Sequence, residues 1–99
     1  MNAMKHISEH RKFILNHIEV GTVKIIVDLT KDNLTIGVVR QIIAASLHAM
    51  QDNDLNEIII KTSGYSEHRD RILKSYDFYR YGGQTAYRLV DPTHENRSF

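Results

Sequence analysis

The sequence contains no cysteine and no tryptophan, only one proline, and no long apolar run. The absence of cysteine excludes disulfides and thiolate metal sites, and it fits a reducing compartment. No segment approaches the roughly 20 apolar residues that a membrane helix needs. The polar first residues also lack the apolar core of a signal peptide. We therefore expect a cytoplasmic protein that does not act at a membrane.

The chain also lacks an excess of charge of either sign. Its 13 Lys and Arg residues face 12 Asp and Glu residues, which gives a net charge of +1. Such a balance provides no long-range field for nucleic acid, so a nucleic-acid partner is disfavoured. A single domain of 99 residues buries only about 60–65% of its unfolded surface. Binding to another protein, or assembly into a homo-oligomer, would therefore add stability that matters.

Hydrophobic patterning predicts one α+β domain over residues 12–90, after a polar lead-in (1–11) and before a polar tail (91–99). Gly21 predicts a hairpin turn after a first strand, and the β-branched run 23–29 predicts a central strand. A helix on the sheet follows, because four apolar side chains recur at helical spacing. They are Val39, Ile43, Leu47 and Met50. The apolar run 57–61 predicts a buried strand after this helix.

The remaining elements are a short helix and a hairpin. Ser66 is a candidate cap for the helix, which carries Ile72 and Leu73 on its apolar side. Gly82 and Gly83 favour a hairpin turn between strands at 78–81 and 85–90. The expected fold is a mixed sheet with the order β-β-α-β-α-β-β.

This order, together with two segments near the end of the chain, resembles the C-terminal part of the GNAT acetyltransferase superfamily. Segment 72–78 reads ILKSYDF and is similar to the family's helix end that runs into a strand. Segment 81–89 reads YGGQTAYRL and is similar to the family's closing hairpin. The resemblance covers about residues 12–90 and implies a GNAT-like partial fold. We expect no counterpart of the strand and two helices that precede this part in the family.

The resemblance also implies where acetyl-CoA would bind. In the family, a Gln/Arg-x-x-Gly-x-Gly/Ala loop at a helix N-terminus presents backbone N–H groups to the pyrophosphate. The corresponding segment 32–37 reads DNLTIG, in which only Gly37 matches the motif. Asp32 replaces the Gln/Arg, and Thr35 replaces the first glycine. The candidate phosphate-binding residues are Thr35, Ile36, Gly37 and Val38.

The catalytic positions of the family are also altered. The tyrosine that protonates the leaving thiolate corresponds to Leu73, which has no proton to donate. The glycine before Phe78 is replaced by Asp77. Tyr76 and Tyr79 lie close by in the sequence and are the candidates to take the place of the missing tyrosine. We assign no catalytic residue and expect a scaffold without the active site of the family.

The predicted hairpin contains the densest aromatic and basic stretch of the chain. Its members are Tyr79, Arg80, Tyr81, Tyr87 and Arg88. Tyrosine and arginine are enriched at the energetic centres of protein interfaces. The alternative explanation is that alternate tyrosines pack in the core and across the hairpin. We expect these five residues to contact a partner protein.

The histidines support only a weaker hypothesis. His6 and His10 have the i, i+4 spacing that places two imidazoles on one face of a helix. A histidine pair without a third ligand is usually accidental, so no metal site is predicted.

The leading functional hypothesis is a small non-catalytic GNAT-like module that binds another protein and needs no cofactor. An inhibitor or adaptor encoded by a virus or mobile element fits this description. The alternative is a minimal N-acetyltransferase that uses acetyl-CoA, with Tyr76 or Tyr79 as the acid.

Overall fold

The structure is a computed structural model that describes residues 8–31, 33–83 and 85–91. Residues 1–7 of the expected lead-in, 92–99 of the expected tail, and Asp32 lie outside the described residues. The elements in chain order are α1 (Glu9–Leu15), β1 (Ile18–Val20), β2 (Ile25–Asp28), α2 (Ile36–Asp52), β3 (Glu57–Lys61), α3 (Glu67–Ser75), β4 (Tyr79–Arg80) and β5 (Ala86–Val90). None of the helices in this part of the chain is long and apolar enough to cross a membrane.

Helix α1 spans the end of the expected lead-in (1–11) and the start of the expected domain at residue 12. Ser8 caps it, because its side chain accepts a hydrogen bond from the Arg11 N–H at 3.0 Å. Of the consecutive apolar residues here, Ile14 is buried in the core, whereas Phe13 and Leu15 are exposed. The first strand expected before Gly21 is present as β1, which is limited to Ile18–Val20, and the helix before it was not predicted.

The five strands form one mixed sheet in the order β1-β2-β3-β5-β4. Strands β2 and β3 are parallel, and the other three neighbouring pairs are antiparallel. Helix α2 connects the two parallel strands, as the spacing of strand, helix and strand predicted. The α+β class and the mixed sheet are thus confirmed, with α1 as an additional element.

The two faces of the sheet differ because side chains alternate along each strand. On one face, which we call the helix face, Ile25, Val27, Ile58, Ile60 and Tyr87 pack against side chains from all three helices. The helical residues in this core are Ile14, Val39, Ile42, Ile43, Met50, Ile72 and Leu73. We call the opposite face the outer face, and it carries Ile26, Ile59 and most of the charged residues of the strands.

Helices α2 and α3 end in the same way. After α3, the N–H of Phe78 donates to the Leu73 carbonyl and the N–H of Asp77 donates to the Lys74 carbonyl. Asp77 has a φ of 73°, in the left-handed region. This is the Schellman arrangement, in which glycine normally occupies the left-handed position. Asp54 has the corresponding place after α2, with a φ of 55°.

The closing hairpin forms around the glycine pair. Gly82 and Gly83 both have positive φ angles, at 67° and 89°, which confirms the reason for expecting glycine here. The N–H of Tyr81 donates to the Ala86 carbonyl at 2.9 Å. The connection between the two strands is therefore longer than a two-residue turn.

Candidate partner-binding surface

The aromatic and basic residues of the hairpin lie at one edge of the sheet. Tyr79 and Tyr81 are 49% and 47% exposed. The Arg88 guanidinium lies over the Tyr81 ring, 5.7 Å from its centroid. Around the same edge, Arg80 lies 5.0 Å from the centroid of the Tyr65 ring, and Tyr65 is 48% exposed. Two stacked arginine–tyrosine pairs therefore share this edge.

Tyr87 does not belong to this exposed set. Its register partner Ile60 is in the core, and Tyr87 is only 2% exposed. The phenol donates a hydrogen bond to Oδ1 of Asp70 at 2.5 Å. Burial and this bond to a carboxylate both raise the pKa of the Tyr87 phenol. The expectation that Tyr87 contacts a partner is corrected, because strand alternation places it on the helix face.

Asp70 is a nearly buried carboxylate that contacts residues of the hairpin. It lies in the charged run 67–71 on α3, and its side chain is only 9% exposed. The charged residues Glu67, Arg69 and Arg71 of the same run are more exposed. Lys74 lies 3.1 Å from one carboxylate oxygen, and Nε of Arg80 lies 3.6 Å from the other. The Tyr87 hydrogen bond, with the nearby charges of Lys74 and Arg80, lowers the pKa of Asp70. Asp70 thus links α3 to both strands of the hairpin.

Arg88 is held from the neighbouring strand β3. Its Nε donates to Oε2 of Glu57 at 2.8 Å, and this carboxylate raises the pKa of the Arg88 guanidinium. Arg88 and Glu57 are both on the outer face, because Arg88 is the register partner of Ile59. Glu57 therefore contacts Arg88 from the β3 side of β5, whereas Tyr81 follows β4 on the other side.

We define the hairpin surface as Tyr65, Tyr79, Arg80, Tyr81 and Arg88. Four of its five residues were predicted from the sequence. Tyr65 was missed because it lies in the loop between β3 and α3, where no periodic pattern marks it. Its proximity to Arg80 depends on how that loop packs against the hairpin.

The expected phosphate-binding residues form the first turn of α2. Thr35 is the N-cap, and its hydroxyl accepts the N–H of Val38 at 3.3 Å. A Cβ added to Gly37 would meet nothing within 4 Å. One of the expected phosphate donors is therefore occupied by Thr35, and Gly37 borders open space rather than a tight cradle. The geometry is that of an ordinary capped helix.

The two alternative acids lie apart from this turn. Tyr76 borders a groove of about 740 Å³ together with Leu47 and Met50, near the end of α2. At 1.5 Å per residue, that end of the helix is roughly 20 Å from Gly37. Tyr79 is a register partner of Arg88 and so lies on the outer face. A reaction that used both the first turn of α2 and Tyr76 would need a cofactor and substrate that together span this distance.

Within the described residues, no group of three or more His, Cys, Asp or Glu side chains is arranged to hold a metal ion. Nε2 of His10 lies 2.6 Å from the Gln41 side-chain oxygen, and His6 is outside the described residues.

Comparisons with known proteins found no relative. No family model, no curated protein and no solved structure matches the chain. The resemblance to the GNAT superfamily therefore remains a prediction from the sequence.

Proposed function

We propose that the protein is a small non-catalytic module, built on a GNAT-like partial scaffold, that binds another protein through the hairpin surface. The observation that carries this proposal is the pair of exposed tyrosines, Tyr79 and Tyr81, beside arginines that are already held by carboxylates of the same chain.

Preorganisation supports the proposal. A tyrosine side chain supplies a large contact area with few rotatable bonds, so little entropy is lost when a partner covers it. Arg80 and Arg88 are each fixed by a carboxylate and an aromatic ring before any partner arrives. Ordering these long side chains on binding would otherwise cost about 0.5–1.5 kcal/mol each.

The surface also indicates the chemistry of the partner. Each arginine makes its closest carboxylate contact through Nε, and a guanidinium has five N–H donors. Donors therefore remain for carboxylates of a partner, beside tyrosine rings that offer apolar area. A protein segment that combines acidic with apolar or aromatic side chains matches this surface.

Two features favour a scaffold over an enzyme. Leu73, at the position of the family's tyrosine, is completely buried in the core and serves packing. Asp77, at the position of the family's glycine, adopts the left-handed conformation that glycine favours. A buried leucine at position 73 supplies no proton donor, which supports the non-catalytic proposal.

The test begins with the full chain as bait and the identification of a protein that co-purifies with it. That protein is then titrated with the wild type and with the double variant Tyr79→Ala/Tyr81→Ala. We expect affinity to fall about 30-fold or more, because truncation of interface tyrosines commonly costs about 2 kcal/mol or more. Val23→Ala, at an exposed apolar residue in the turn beyond β1, is the matched control.

Equal affinity for the wild type and the double tyrosine variant would show that the hairpin surface is not the binding site. A loss that occurs equally in Val23→Ala would point to the opposite edge of the sheet instead.

The alternative function, a minimal N-acetyltransferase, is tested by calorimetric titration with acetyl-CoA and CoA. Sub-millimolar binding that Thr35→Glu abolishes and Ser66→Glu leaves intact would overturn the non-catalytic proposal. The two substitutions place the same new carboxylate at the N-caps of α2 and α3, respectively. Their comparison separates a specific phosphate site from a general effect of charge.

A further inference from the structure

The outer face of the sheet carries an ordered pattern of charges. One row across the strands contains, from β1 to β5, Glu19, Ile26, Ile59 and Arg88. In the next row on this face, Asp28 of β2 lies beside Lys61 of β3. Acids thus lie on the β2 side of the line between the two parallel strands, and bases lie on the β3 side.

A third pair also has opposite charges on the two sides of this line, but here the base is on the β2 side. Ile25 pairs with Ile58, so the preceding residues Lys24 and Glu57 lie at the same level. Glu57 is also the partner of Arg88 within the chain, at 2.8 Å. In each of these three rows, the charge therefore changes sign across the line between β2 and β3.

A two-fold rotation matches such a pattern to itself. Neighbouring strands are about 4.8 Å apart, so Glu19 and Arg88 lie at equal distances of roughly 7 Å on either side of the line. Consider two copies whose outer faces meet, with the axis between the two sheets and along the line between β2 and β3. A half-turn about this axis places Glu19 of one copy opposite Arg88 of the other. The same rotation places Asp28 opposite Lys61 and Ile26 opposite Ile59.

We propose that two copies of this chain associate face to face through the outer faces of their sheets, around this two-fold axis. Closed two-fold interfaces use the same patch on both copies, so each contact forms twice and the patch must complement itself. A partner of different sequence imposes no such symmetry on the charges. Packed sheets accommodate this arrangement with strands crossing at about 30°.

The charged rows should determine the strength of the dimer. Ile59 is already only 8% exposed in the single chain, so association buries little new apolar area at its centre. Exposed ion pairs are weak individually and are screened by salt. The dimer is therefore expected to be of modest affinity and to weaken as ionic strength rises.

This dimer goes beyond the proposed function and does not depend on it. Tyr79 lies one strand beyond Arg88, whereas the opposing copy ends at β1, opposite Arg88. The tyrosines of the hairpin surface thus remain at the rim of the interface, and Arg88 is the one member of that surface that also lies in the dimer contact. Loss of the dimer and loss of the partner are separate outcomes.

A mixing experiment tests the proposal. Asp28→Lys brings two lysines together across the axis, and Lys61→Asp brings two aspartates together, so each variant alone repels itself at two symmetric sites. An equimolar mixture restores both contacts between copies, while the repulsion within each chain persists. Sedimentation velocity over about 1 µM to 1 mM measures association across the range of a modest affinity.

We expect each variant alone to dimerise about tenfold or more weakly than the wild type, and the mixture to recover most of the lost affinity. A wild type that remains monomeric at the highest concentration would overturn the proposal. A mixture that associates no better than its components would overturn it as well.

Asp28 also accepts hydrogen bonds from Thr30, so Asp28→Lys can disturb the loop after β2. Glu19→Lys provides a second variant at an exposed residue, and it places a lysine opposite Arg88. It should weaken the dimer by a similar factor, and the matched change Glu67→Lys on α3 should not. Equal affinity for Glu19→Lys and the wild type would contradict the proposed axis.

Discussion

Gly21 is the residue at which a single added methyl group has the clearest cost. A Cβ there would lie 2.9 Å from the Lys24 carbonyl oxygen, which is part of the same hairpin's backbone. The N–H of Gly21 also donates to that oxygen, so neither group can move away cheaply. Gly37, in contrast, borders open space in the first turn of α2.

We predict opposite effects for the same substitution at these two glycines. Gly21→Ala should lower the free energy of unfolding by about 1 kcal/mol or more, because the hairpin must shift. Gly37→Ala should raise it by up to roughly 0.5–1 kcal/mol, because alanine costs less entropy in a helix. Urea denaturation of both variants measures the difference. Destabilisation by Gly37→Ala would mean that something contacts this position.

The bond between Tyr87 and Asp70 predicts a dependence of stability on pH. The folded state lowers the pKa of Asp70 below its ordinary value of 3.8. This carboxylate therefore stabilises the fold above that pH, and the stabilisation is lost as the pH falls through the lowered value. The hydrogen bond from Tyr87 is the largest cause of the shift.

Tyr87→Phe should accordingly lower the free energy of unfolding by about 1 kcal/mol at pH 7. The difference from the wild type should shrink as the pH falls below 3.8 and through the lowered pKa of Asp70. Denaturation at pH 7 and at acidic pH measures both effects, with Tyr65→Phe as the control at an exposed tyrosine. A difference that does not change with pH would show that Tyr87 stabilises by packing alone.

Among the secondary-structure elements, the C-terminal ends of two helices contain a strained backbone position. Both α2 and α3 terminate with an aspartate in the left-handed conformation, at Asp54 and Asp77. An L-residue other than glycine pays about 1–2 kcal/mol for this conformation, less for aspartate than for most. The bonds from Asp77 and Phe78 back to α3 hold it in place.

Asp77→Gly should therefore stabilise the protein by roughly 0.5–1 kcal/mol. Asp52→Gly, inside the last turn of α2, should destabilise it, because glycine is unfavourable within a helix. Thermal and urea denaturation of the two variants give the comparison. If Asp77→Gly destabilises the fold, the aspartate side chain makes a contact that outweighs the strain.

At the scale of the whole molecule, all three helices pack on one face of the sheet. The core occupies this helix face, and the two proposals concern the remaining surfaces, the outer face and the hairpin edge. A dimer through the outer face would carry two hairpin surfaces. Two linked sites of this kind raise the effective affinity for a partner that presents two copies of its own segment.

The sequence by itself determined the elements whose signals are local. The strand at β3, the apolar stripe of α2, the Ser66 cap and the glycine turns each depend on a few neighbouring residues, and each was predicted. Helix α1 was not predicted, because the consecutive apolar residues Phe13, Ile14 and Leu15 show no helical period. Its assignment depends on the Ser8 cap and on burial of Ile14 against the rest of the core.

Only the tertiary structure decided which residues of the hairpin face solvent. Tyr79, Tyr81 and Tyr87 look equivalent in the sequence, yet Tyr87 lies in the core with Asp70, a residue 17 positions away. The charge pattern of the outer face likewise depends on the pairing of strands that are distant along the chain. Register and contacts between distant segments depend on how the apolar faces and turns of several segments fit together, and no single segment determines them alone.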